Sequence, residues 1–226
     1  MKETVNEPAK QDLTKRYTLG EEIFNSVTHG VGSLLSIAGT VVLIVLAAIN
    51  SDAWAVVSCA IYGSSLIILY TMSTLYHAIT NKTAKAFFRI MDHNTIFFLI
   101  AGTYTPITLV ALRGALGWVL FGIVWGAAAI GIVLNSIDLE KFRKPSVVCY
   151  VAMGWVIIIA IRPMIQHVTP LSLWFLLIGG LCYTVGIIFY ALKKVKYFHS
   201  VWHIFTVAGS VFHYFSILLI IVTDKG

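Results

Sequence analysis

The chain has 226 residues, 58% of them apolar and 12% charged, with a formal net charge of +6 and a mean hydropathy of +0.87. A soluble domain carries about 25% charged residues, so this composition excludes an ordinary globular protein and points to a polytopic membrane protein. The basic residues are dispersed between apolar runs, which removes the clustered patch a nucleic-acid partner needs.

Residues 1–20 form a polar tail, expected to be disordered. No apolar h-region occurs there, so no cleavable signal peptide is expected. A membrane-spanning helix needs about 20 largely apolar residues. Seven segments qualify, at roughly 27–49, 54–77, 87–111, 115–135, 146–162, 171–192 and 199–222. The expected fold is therefore an all-α membrane protein, a seven-helix transmembrane bundle over residues 21–222, followed by a short outer tail at 223–226. The connections are short, so sequential neighbours should pack antiparallel.

In chain order, the first span is preceded by Glu22 and Asn25 and carries His29, a polar ladder at i, i+3 and i+7. The second ends in STLYH, with Ser73 one turn before His77 on the same face. The third opens in RIMDHN, which supplies Asp92. The fifth is short and is expected to end at Arg162-Pro163. The seventh opens with His199 and His203, four residues apart, just after Lys196. The three cysteines, Cys59, Cys149 and Cys182, fall inside apolar segments without a CxxC partner, so they read as small buried hydrophobes.

The charges orient the bundle. All but three of the 16 basic residues fall on the side of the N-terminus; the exceptions are Arg113, Arg162 and Lys225. Cytoplasmic loops are rich in Lys and Arg, so the N-terminus is expected in the cytoplasm and the C-terminus outside.

Residues of four helices then reach one depth near the inner face: His29, Ser73 with His77, Asp92, and His199 with His203. An ionisable residue inside a span is rare and functional by default. An i, i+4 histidine pair offers two ligands from one helical face. His77 completes a set of three protein ligands with an open fourth position, the arrangement of catalytic zinc. Asp92 serves either as the fourth ligand or as a hydrogen-bond partner of water on the ion. Ser73 is better placed as a weak ligand or a partner of one. The bland alternative is that a lone histidine merely hydrogen-bonds across helices, at about 1 kcal/mol or less. That alternative suits His167 on the outer side, and His213, which lies about 15 Å deeper than His203 at about 1.5 Å per residue. His93 points about 100° away from Asp92 and is also left out. For Ser73, His77, Asp92, His199 and His203 the coincidence of spacing and depth favours a metal site.

The same residues carry a family resemblance. EIFNSVTH at 22–29, STLYH at 73–77 with Asp92, and HSVWH at 199–203 occur in order in a seven-span chain. This resembles the hemolysin III family, the bacterial branch of the progestin and adipoQ receptor family, over residues 21–222. The resemblance implies a Zn2+ ion held by His77, His199 and His203, with Asp92 and Ser73 close to it. Related alkaline ceramidases share the layout, and adiponectin receptors are reported to hydrolyse ceramide. Bacterial members are named for haemolysis and are tied to membrane fluidity and energy homeostasis. The Glu22, Asn25, Thr28 and His29 motif has no agreed role; it reads as a polar lock on the start of the first helix.

The expected function is a zinc-dependent intramembrane hydrolase of a lipid amide or ester, in the plasma membrane, with membrane lipid as substrate. Zinc lowers the pKa of water to about 7 and polarises a carbonyl. Asp92 is the expected proton acceptor and Ser73 the expected hydrogen-bond donor to the water or the oxyanion. The rival expectations are a membrane-state sensor or receptor with a structural zinc site, and a pore-forming cytolysin. A pore needs a polar stripe through the membrane, whereas these polar residues stop near one face. Substrate and oligomeric state are not encoded in any motif.

Overall fold

A computed structural model describes residues 17–192 and 195–223. Eight α-helices follow in order: α1 (Leu19–Asn50), α2 (Ala53–Ala78), α3 (Lys82–Pro106), α4 (Ala115–Ile137), α5 (Leu139–Trp155), α6 (Ile161–His167), α7 (Pro170–Ala191) and α8 (Phe198–Thr223). A π-turn at Ile107–Ala111 extends α3, and a 3-10 stretch at Val156–Ala160 joins α5 to α6 into one span. Among the described residues, seven helical segments are long and apolar enough to cross a membrane, Leu139–His167 being the fifth. The chain is thus a multi-pass helical bundle. Lys2, Lys10, Lys15, Arg16, Lys193, Lys194 and Lys225, used above for orientation, lie outside the described residues.

Local chemistry sets most of the helix starts. Thr18 and Glu21 form a capping box at α1, the Thr18 backbone N–H donating to Glu21 Oε2 at 2.8 Å. Asp52 caps α2 and also accepts from Arg113 at 2.8 Å. Asn81, Asp138 and Thr169 cap α3, α5 and α7, and Pro170 follows Thr169 in the first turn.

The third span starts at Lys82 and not near 87, the fifth at Leu139 and not near 146, and two further boundaries also differ from the hydropathy expectation. The first helix starts at Leu19, not near 27. Its early residues are polar on the face that turns inward: Glu21, Asn25 and His29 are buried, while Ile23, Phe24 and Val27 are exposed. A search for apolar runs misses a helix whose polar stripe faces the bundle. The fifth span continues past Arg162-Pro163 to His167. The helix breaks at Val156 and restarts at Ile161, so Pro163 falls in a first turn, where its missing N–H loses no helical partner. The break is satisfied from α3: the Tyr104 hydroxyl accepts from the Ile157 N–H at 3.0 Å and donates to Gly154 O at 2.9 Å. Lipid offers no such partners, so an irregular turn at this depth needs one from the protein.

The helices close into a ring through α1 against α2 and α8, with α3 innermost. In α3, 78% of the most apolar window is buried, against 22% in α1. Close approach is made by small residues, as lipid-embedded packing requires. A Cβ on Gly102 of α3 would lie 2.3 Å from Ser65 Oγ of α2, and one on Gly179 of α7 would lie 2.2 Å from the His213 ring of α8. Ser172 of α7 and Ser216 of α8 each donate to the other's backbone carbonyl at 2.9 Å. The join of α5 against α7 is slack, and there the interior opens.

The orientation of the bundle is testable. A reporter fused after Lys225 is expected outside the cytoplasm and one after Lys196 inside. Both on the same side would refute the alternation that places the polar layer at the cytoplasmic face.

Candidate metal centre

His77 is the second-last residue of α2, and His199 and His203 stand one turn apart at the start of α8. The antiparallel arrangement of these two helix ends brings the three imidazoles together. One ring nitrogen from each lies within 4.8 Å of those of the other two. His77 and His203 are buried and His199 is half-buried. The His199 and His203 Nε2 atoms are 3.2 Å apart. Two nitrogens on one tetrahedral zinc, at about 2.0–2.1 Å each, are separated by about 3.3 Å. The His77 ring is tilted to both others, with centroids at 5.4 Å from His199 and 5.0 Å from His203.

A metal fits this set for a further reason. His77 Nδ1 lies 2.6 Å from Glu22 Oε2, and a carboxylate is an acceptor only, so the ring proton sits on Nδ1. His77 Nε2 is buried without a protein hydrogen-bond partner, which is a lone pair in search of a cation. The cysteines are elsewhere and unpaired, so the donors are imidazoles, a set that suits Zn, Cu, Fe or Ni.

Around the triad the layer stays polar. Asn25 is fully buried with its side-chain amide unpartnered, and Ser73 and Ser200 are buried with unpartnered hydroxyls. His29 stacks on His203 at 3.7 Å between centroids. Tyr17 stacks on His199 at 4.7 Å and tilts against His77 at 5.5 Å, covering the triad from the N-terminal side. Glu21 ties the same region together by accepting from the Tyr197 N–H at 2.7 Å, ahead of α8.

The remaining expected residues fall as follows. Ser73 sits one turn before His77 on α2, buried. Asp92 lies outside the group of three; one of its oxygens is 3.6 Å from His93 Nδ1, with the side chain 14% exposed. His93 hydrogen-bonds to Arg89 O through Nδ1 at 2.9 Å and meets the Tyr190 hydroxyl at Nε2, 3.2 Å away. His213 donates from Nε2 to Leu176 O of α7 at 3.1 Å, and His167 Nδ1 meets Pro163 O on its own helix at 2.8 Å. Sequence reasoning missed Tyr17 and Lys85. Lys85 counts as a loop charge by position, yet it is only 3% exposed. The signal available for Glu22 was its place on the inward face with Asn25 and His29, which names a face and not a partner.

Fold and site together define a multi-pass helical membrane protein with a largely buried three-histidine cluster close to the ends of α2 and α8. The chain belongs to the haemolysin-III-related family, whose sequence profile matches residues 17–214. It is 43% identical to "Hemolysin-3" of Bacillus cereus over 88% of this chain and 90% of that one. It is 44% identical to the "Hemolysin-3 homolog" of Bacillus subtilis (strain 168) over 89% and 95%. More distantly, it is 28% identical to the human "Monocyte to macrophage differentiation factor" over 88% and 84%.

Proposed function

We propose that the protein is a zinc-dependent hydrolase of a lipid amide or ester, working inside the plasma membrane in lipid homeostasis. The observation that supports this reading is an apolar crevice that runs beside α8, the helix that carries His199 and His203. Two adjoining cavities, of about 100 and 470 Å³, run between α3, α5, α7 and α8. Thr103, Tyr104, Gly154, Trp155, Gly180 and His213 border both. The smaller one is lined in part by Trp202 and Thr206, which stand on either side of His203 in the α8 sequence. In this reading an acyl chain occupies the crevice with its polar end toward the triad.

When bound, zinc supplies Lewis acidity at the scissile carbonyl and an acidified water. The chain supplies the rest. His77, His199 and His203 would hold the ion. Both Glu22 oxygens are engaged, by His77 and Lys85, so Glu22 positions and does not shuttle protons. Asp92 is assigned as general base, taking the water's proton and returning it to the leaving group. Ser73 donates its hydroxyl hydrogen to the developing oxyanion. The apolar crevice wall excludes bulk water from the acyl side.

A sensor with a structural metal draws support from a different feature, since an ion on the triad would clamp α2 to α8 with no reaction needed. A conduit for ions or solutes finds little support in a crevice lined mostly by Leu, Ile, Trp and Tyr.

The crevice can be tested directly. Gly154 borders both cavities and a Cβ there meets nothing within 4 Å, so Gly154→Leu adds a side chain at the crevice wall without displacing backbone. Each methylene excluded from the crevice loses about 0.8 kcal/mol. Two of them lower hydrolysis of a long-chain substrate roughly tenfold, while a short-chain substrate is unaffected and metal content is unchanged. Equal rates on long chains in Gly154→Leu and wild type would detach the crevice from the reaction.

A further inference from the structure

We infer that Glu22 is a positioning residue for the metal and that Lys85 anchors it, so that α1 and α3 set the ligand geometry of a site whose ligands lie on α2 and α8. The inference rests on the metal reading of the site and is independent of hydrolysis. Four contacts carry it. Glu22 Oε2 is 2.6 Å from His77 Nδ1, Glu22 Oε1 is 2.9 Å from Lys85 Nζ, and Lys85 Nζ donates to Tyr76 O at 2.9 Å and Ile79 O at 3.3 Å. The lysine thus closes the last turn of α2, the turn that carries His77, where the carbonyls have no helical partners. It meets the carboxylate on the other side.

A buried ion pair adds little net stability, because desolvation offsets its attraction. What this one fixes is direction. An imidazole can carry its single proton on either nitrogen, and only one choice leaves Nε2 with a lone pair. The carboxylate accepts from Nδ1–H and so selects that tautomer. It also restrains the ring about its χ2 axis and leaves the buried Nε2 as the nitrogen free to bind an ion. Lys85 keeps the carboxylate from rotating away, since each of its oxygens then has its own partner. A carboxylate hydrogen-bonded to a metal-ligating histidine makes the ligand more basic, and losing such a partner typically costs about 10–100-fold in metal affinity. Of the other acidic residues near this face, Glu21 is committed to Thr18 and the Tyr197 N–H, Glu140 to Arg89 and Arg143, and Asp92 lies beside His93.

The test is zinc affinity of the full-length chain in detergent, by chelator competition, with cobalt absorption and histidine 15N NMR on the same variants. Glu22→Ala is expected to weaken zinc about 10–100-fold. Glu22→Gln keeps an acceptor for Nδ1–H but loses the charge and the lysine, and should fall between Glu22→Ala and wild type. Lys85→Met should also fall between them, with Glu22 still present. Metal-free wild type should show the His77 proton on Nδ1. The tetrahedral cobalt spectrum should lose intensity in the order Glu22→Gln, then Glu22→Ala. A lower melting temperature with unchanged zinc affinity in Glu22→Gln would mean a purely structural role and overturn the inference. So would a His77 proton on Nε2, or a wild type that binds no metal. If Glu22→Ala fails to fold, Glu22→Gln and the tautomer measurement decide.

Discussion

His77→Ala, His199→Ala or His203→Ala should each strip most of the metal from the purified protein, which should otherwise carry about one ion per chain, as one tetrahedral site implies. The three nitrogens lie within 4.8 Å of one another, and removing any one leaves two imidazoles to hold the ion. Binding to the native state alone stabilises it, by about 2.7 kcal/mol when free metal is 100-fold above Kd. The three variants should therefore melt lower than wild type in added zinc and close to metal-free wild type without it. His213→Ala is the control. Its ring donates to Leu176 O on the neighbouring helix, so the change should loosen α7 against α8 and leave metal content intact. Equal metal loss from His213→Ala would place the ion in the wrong layer of the bundle.

Asp92→Asn should separate binding from chemistry. Three imidazoles still hold the ion, so most of the metal should remain. The amide hydrogen-bonds but takes no proton at neutral pH. A general base typically contributes about 10²–10⁴-fold, and lipid hydrolysis should fall by that order while metal content hardly changes. Loss of metal as complete as in His77→Ala would make Asp92 a ligand. Unchanged hydrolysis would move the base to another residue.

Much of this architecture is legible before any coordinates, because a bilayer imposes crude rules. Spans must be long and apolar, and all seven are found from that rule alone. The histidine cluster is also legible, since His199 and His203 share a helical face by spacing and His77 shares their depth by its distance from a basic loop. Other features depend on contacts that no period encodes. Periodicity shows that Glu22, Asn25 and His29 share a face, but the partner of Glu22 is His77, 55 residues away on another helix. Lys85 looks like a loop charge until the α2–α3 turn folds its amine under Tyr76 O. The break at Val156 is invisible without Tyr104, which supplies its missing hydrogen bonds from α3. The crevice arises where α5 and α7 pack loosely, a property of two helices together and of neither sequence alone.

The most direct test of the account is fatty-acid release from amide and ester lipids in vesicles that contain the wild-type protein. Metal is measured on the same preparation before chelation, after chelation and after zinc is restored. The account predicts release from at least one lipid class, loss of release with the metal, and recovery when about one zinc per chain returns. Full metal loading with no release from any lipid, or release that persists after the metal is gone, would contradict it.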